Sequence, residues 1–164
     1  MSRRRGADAV AGGAEGVVFT GPRAPQGADD AWLRAMCARV LPLLPSPVAR
    51  AAVEFVDDAR MAAMHGRFMG LPTTTDVLTF AANEPGQPVD VDIAVCVDEA
   101  ARRGAGRPQG AREELLLYIV HGLLHACGHD DRDEASYRAM HALEDEILER
   151  AGAGRLFRAG EEQP

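Results

Sequence analysis

His121-Gly122-Leu123-Leu124-His125-Ala126-Cys127-Gly128-His129-Asp130-Asp131 places two histidines four residues apart and follows them with a glycine and an acidic cluster. In a helix of about 3.6 residues per turn, such positions stand one above the other on one face, so both imidazoles can reach one small ion. Gly128 tolerates the left-handed backbone that ends helices, and a turn there brings His129, Asp130 and Asp131 towards the pair. Three protein ligands with a fourth place open is how a catalytic zinc site is built, because the open place must take water or a substrate oxygen. Neutral imidazole suits zinc, and a carboxylate can complete the set while removing one unit of the ion's positive charge. The residues therefore point to His121, His125 and Asp131 as ligands of a single Zn²⁺ ion, with His129 the rival for the third place. Cys127, two residues past His125, points about 200° round the helix towards the apolar side. A histidine pair at this spacing also arises by chance, and a polar helix end is the competing reading; Gly128 and the cluster after it favour the metal.

Leu116, Ile119, Val120, Leu123 and Cys127 predict a buried stripe that sets the two histidines along its flank, so the site rests on a core helix and the turn after it. Glu113 and Glu114 fall in that helix's first turn, where acids complement its dipole, after a Pro108-Gln109-Gly110 loop. A last helix over 133–151 buries Tyr137, Met140, Leu143, Ile147 and Leu148. Upstream, Val17-Val18-Phe19-Thr20, Ala52–Val56, Thr75–Phe80 and Val91–Val97 read as strands, the last two pairing as neighbours. Between them, one helix carries Trp32, Leu33, Met36, Val40 and Leu43, a second runs from Asp57-Asp58 to Gly70, and a third starts at Asp98. The order β α β α β β α α α, without strict alternation, predicts an α+β fold: a small mixed β-sheet covered by helices. Residues 1–16 read as a disordered leader, 17–151 as one domain and 152–164 as a loose tail.

The 164 residues hold three widely spaced cysteines and no membrane-length apolar run, which predicts a reduced, cytoplasmic protein without a membrane partner. All 18 basic residues are arginine, and the net charge is −7. That balance argues against a general nucleic-acid coat protein but leaves room for a local basic cleft.

The histidine stretch also matches the zinc-peptidase spacing H-x-x-x-H-x-x-G-x-x-[H/D]. Those enzymes carry a glutamate after the first histidine as general base, and here the position is Gly122. A metallopeptidase is therefore disfavoured.

Several segments together resemble the YbeY family of bacterial zinc-dependent endoribonucleases. Its signature H-G-x-L-H-x-x-G-[YH]-D-H resembles His121–Asp131, and its T-D-V-L-[ST]-F strand resembles Thr75–Phe80. Its D-I pair resembles Asp92-Ile93, and its closing M-x-x-L-E-x-E-I-L helix resembles Met140–Leu148. The likeness spans about residues 50–150 and departs at two points: Asp131 stands where the family usually has a third histidine, and Met69 where it usually has an arginine before the strand, with Arg67 two residues earlier. What the resemblance implies is cleavage of single-stranded RNA, a ribosomal RNA precursor, in 3′-end maturation and ribosome biogenesis, with the small ribosomal subunit as docking partner. Under it, His129 or Asp130 is the nearest proton carrier, Arg67 the substitute phosphate contact, and Arg67, Arg102, Arg103 and Arg107 a cationic wall. A non-catalytic ribosome-assembly factor is the other alternative. His65 and His141 are expected to be surface or packing residues.

Overall fold

Four short runs of β-branched and aromatic residues form one sheet in the computed structural model, which describes residues 16–21, 30–107 and 110–156. The chain runs β1 (Val17–Thr20), α1 (Asp30–Val40), a 3-10 turn (Leu41–Leu43), β2 (Val48–Val56), α2 (Asp58–Met69), β3 (Val77–Ala81), β4 (Val89–Cys96), α3 (Val97–Gly104), α4 (Gly110–Ala126) and α5 (Glu134–Ala151). That is the expected order of elements and a mixed sheet with helices on both faces. Strand order is β1-β2-β4-β3, parallel through the first three and antiparallel at the β3 edge.

Alternation along the strands divides the interior in two. Val89, Val91, Ile93 and Val95 of β4, with Ala51, Val53 and Phe55 of β2, meet α1, α4 and α5 in the main core. Ala94 and Cys96 point the other way, joining Met61 of α2 and Leu78 of β3 in a smaller cluster. Asp57 caps α2 by accepting from the Arg60 amide at 2.8 Å, and Gly70 closes it in the left-handed conformation.

Three expectations are corrected. β2 begins four residues earlier than its alternation suggested, because half-buried Val48 and exposed Arg50 pair with Val89 and Asp90. α4 is not buried along one stripe: every residue from Leu115 to Leu124 is buried, since the sheet and three other helices surround it. Of the two acids expected in the first turn of α4 only Glu113 lies there; Glu114 falls beyond it and is buried, accepting from Arg107 at 2.5 Å.

Residues 1–15 and 157–164, most of the expected leader and tail, lie outside the described residues. Ala153 and Leu156, which fall in the expected tail, are half-buried against the core. Cys37, Cys96 and Cys127 are all free thiols, and burial pushes the Cys37 thiol up to about 12. Among the described residues, no helix is long and apolar enough to cross a membrane.

Candidate metal centre

α4 ends in a motif that folds the chain back on itself. The His129 amide donates to the Leu124 carbonyl at 3.1 Å and the Gly128 amide to the His125 carbonyl at 2.9 Å, with Gly128 at φ 94°. This pairing satisfies the helix's last carbonyls and needs a residue without a Cβ at the reversal. A few residues on, Asp133 and Ser136 cap α5 reciprocally, so the loop carrying Asp131 is strung between two fixed helix ends. Asn83 ties the far end of the β3–β4 hairpin to the same place, donating to the Ala126 carbonyl at 3.2 Å.

The turn brings three ligand atoms together. His121 Nε2 lies 3.0 Å from His125 Nε2, and Asp131 Oδ2 lies 3.4 Å from the first and 3.6 Å from the second. A triangle of these sides has its centre about 1.9 Å from each corner, against about 2.0–2.2 Å for zinc bonded to nitrogen or oxygen.

The opposite ring nitrogens fix what those atoms are. His121 Nδ1 donates to Glu144 Oε1 at 2.5 Å, and His125 Nδ1 donates to the His129 carbonyl at 3.0 Å. With both Nδ1 positions protonated, neutral rings present only lone pairs at Nε2. With neutral rings, two imidazole lone pairs and a carboxylate oxygen converge, a donor set that suits a divalent cation. Burial pulls the His121 pKa down most, but the Glu144 bond and charge, with Asp131 and Asp76 beyond, outweigh it and leave it raised. His125 is lowered, by burial first and by His121 second.

Behind His121 stands a second layer of polar contacts. Glu144, fully buried on α5, accepts from His121 with one oxygen and from His141 Nδ1 with the other at 2.7 Å. Burial raises its pKa, yet the two imidazole bonds prevail and hold it below the usual carboxylate range. His121, His141 and Glu144 also lie close enough to share an ion, but Glu144 joins them through hydrogen bonds that fix the ring of His121. His141 is buried, its ring 4.3 Å from that of Tyr137; His65 donates to the Thr73 carbonyl at 2.7 Å in the turn after α2.

The three ligands open into a cleft of about 440 Å³ walled by edge strand β3 (Val77, Leu78, Thr79, Ala81), Asp76, Met69 and Arg132. His129, Asp130 and Arg67 are not among its lining residues. His129 contributes its carbonyl to His125, while Asp130 accepts from the Asp131 amide at 2.8 Å and faces Arg132. Arg67 is exposed at the end of α2, its guanidinium 5.4 Å from the Phe68 ring centre. Arg102, Arg103 and Arg107 form no wall here. Arg102 grips Asp58 of α2 through two bonds of 2.7 Å, Arg103 pairs with Glu99 within α3, and Arg107, in the turn after α3, pairs with Glu114 of α4.

Sequence reasoning missed Glu144, Asp76 and Arg132. Glu144 had left a signal: with Met140, Ile147, Leu148 and Ala151 it falls on the apolar stripe of α5, where a carboxylate without a buried partner is costly. Gly122 has a packing role. A Cβ there would stand 3.0 Å from Thr79 Oγ1 and 3.1 Å from two carbons of Ile93, so α4 lies close against the sheet and any side chain at this position makes Thr79 and Ile93 shift.

The family model described as Endoribonuclease YbeY matches residues 31–152. The chain is 34% identical over 151 residues to the Endoribonuclease YbeY of Synechococcus sp., covering 84% of this chain and 93% of that one. It is 41% identical over 113 residues to that of Cutibacterium acnes, covering 62% and 72%. The solution structure of TM1509 from Thermotoga maritima matches with a TM-score of 0.54 at 21% identity, over 90% of this chain and 99% of that one, a likeness of fold. With a family model spanning most of its length and relatives of this similarity, the chain belongs to the YbeY endoribonuclease family.

Proposed function

We propose that this protein is a zinc-dependent endoribonuclease that cuts single-stranded RNA in the 3′-end maturation of ribosomal RNA, with residues 17–151 as its catalytic unit. Its setting in this reading is the cytoplasm, docked on the small ribosomal subunit. The observation that carries it is the meeting of His121 Nε2, His125 Nε2 and Asp131 Oδ2 at the floor of an open cleft, in a chain of an endoribonuclease family. Two imidazoles and one carboxylate suit zinc, and three ligands leave a place for water or a phosphoryl oxygen.

When bound, the ion supplies Lewis acidity, drawing electron density from a phosphoryl oxygen or lowering the pKa of a water. The chain does the positioning. Glu144 locks the ring and tautomer of His121 from inside the core, and the His129 carbonyl does the same for His125 from the loop. Asp131 neutralises part of the ion's charge and fixes the loop over it. His129 and Asp130, on that loop, are the proton carriers this reading assigns, and Arg67 reaches phosphate only by leaving its place over Phe68.

The test compares single-stranded and duplex RNA of one sequence, with chelator and with Zn²⁺ restored. Single-stranded RNA is cut, cutting stops with chelator and returns with zinc, and His121→Ala and His125→Ala are inactive. Chelator-resistant cutting that survives in both variants overturns the proposal, and binding to small subunits without any RNA cleavage favours the assembly-factor reading instead.

A further inference from the structure

Charge in the cleft raises a difficulty that the ligand set alone does not resolve. Relative to the family pattern, Asp131 replaces a neutral imidazole by an anion and Met69 replaces an arginine by an uncharged side chain, so the net charge here is two units more negative. Asp76 adds a further carboxylate to the wall. Two carboxylates offset the whole charge of one divalent ion, so a phosphodiester approaching this surface gains from a further cation. Arg67 does not line the cleft. Met69 does, and it is 57% exposed, presenting a thioether where a cation would be useful.

One arginine does line it. Arg132 follows Asp131 directly in the chain, on the short loop between the α4 reversal and the Asp133 cap of α5. Its side chain is 87% exposed, and its Nε lies 3.2 Å from Asp130 Oδ2. The other oxygen of Asp130 accepts from the Asp131 amide at 2.8 Å, so the guanidinium is leashed to the backbone of the ligand loop itself. Bonding through Nε leaves the two Nη groups to meet a second anion, and a planar fork of donors suits phosphate. Among the described residues lining the cleft it is the only arginine.

We propose that Arg132, held beside the metal ligands by Asp130, is the residue that binds the RNA phosphate at this cleft, taking over in this chain the part of the arginine that Met69 has displaced. The proposal rests on the nuclease reading above and deepens it by naming the binding residue. Asp130 then acts as a positioning residue, orienting the guanidinium and fixing the loop in one bond each, and of the two proton carriers named above His129 alone keeps that part.

Binding of fluorescent single-stranded RNA by the full chain, in chelator so that nothing is cut, reads the contact directly across a salt series. Arg132→Ala weakens binding about three- to tenfold at low salt and flattens the slope of log affinity against log salt by about 0.7, the loss of one phosphate contact on a single strand. Arg132→Lys keeps the slope, Arg138→Ala on the outer face of α5 changes neither quantity, and with zinc present Arg132→Ala raises KM while kcat stays within about twofold. An unchanged slope in Arg132→Ala, or a larger loss in Arg67→Ala than in Arg132→Ala, overturns the assignment. A wild-type protein that cuts no RNA sinks the nuclease reading yet leaves this binding comparison readable, and the reverse holds if cutting is metal-dependent but indifferent to Arg132.

Discussion

His121 and His125 stand one turn apart on the same helix and occupy opposite halves of the metal centre. The inner half is core: the His121 side chain is 7% exposed, and its partner Glu144 is fully buried and shared with His141. The outer half is rim: His125 is 29% exposed, its partner is a loop carbonyl, and Asp131 and Arg132 belong to that loop. The pKa directions follow the same division, raised at His121 by Glu144 against the pull of burial, lowered at His125 by burial and by His121. Under the proposed function, the inner half couples the ion to the stability of the fold, because its ligand is oriented by groups that only folding buries, and the outer half faces the substrate.

The largest effect that would break this comparison comes from changing one residue in each half. Glu144→Gln leaves one acceptor for two imidazole N–H groups; it should destabilise the metal-free protein by about 1–3 kcal/mol in urea melts and weaken zinc binding about 10- to 100-fold. Asp131→Asn should weaken zinc binding comparably while leaving the urea midpoint of the metal-free protein within about 0.5 kcal/mol, since the residue is half-exposed. Equal losses of stability in the two variants would abolish the distinction between halves.

A smaller effect sharpens the role of helix placement. Gly122→Ala inserts a methyl 3.0 Å from Thr79 Oγ1 and 3.1 Å from Ile93, and overpacking of this kind costs about 1–3 kcal/mol. Because Thr79 lines the cleft, RNA cleavage should fall with stability, whereas Gly128→Ala, at φ 94° with open space around it, should act through backbone strain in the loop and affect zinc affinity first. Paired urea melts and zinc titrations separate the two.

The smallest effect lies outside both halves. The Arg102 bonds hold the Asp58 carboxyl down to about 2, from an ordinary 3.8. A depressed folded-state pKa contributes stability that is present above about pH 4 and lost as pH falls towards 2, so Asp58→Asn should flatten the acid limb of the stability curve in that window. The carboxyl is exposed, so the change is a fraction of what burial would give, and zinc binding at neutral pH should not move.

Much of the centre was legible because it is local. The spacing of His121 and His125, the reversal at Gly128 and the reach of Asp131 are all set within eleven residues, and helix geometry alone decides them. The order of strands and helices was legible for the same reason, since alternation and caps are short-range signals. What stayed hidden depends on which elements meet. The all-round burial of α4 needs three other helices to arrive, and the pairing of Arg102 needs α2 to bring Asp58 to it, whereas Arg103 and Glu99 are a local pair one turn apart on α3. Glu144 lay between these cases, visible as a carboxylate on an apolar stripe, but its partner 23 positions away was not.

Gly122 carries a last consequence, for evolution rather than catalysis. A single base change can convert some glycine codons to glutamate, so the genetic step from this active-site helix to the protease signature is as short as a step can be. What stands in the way is the close seat of α4 on Thr79 and Ile93, where even a Cβ makes those side chains give by a few tenths of an ångström.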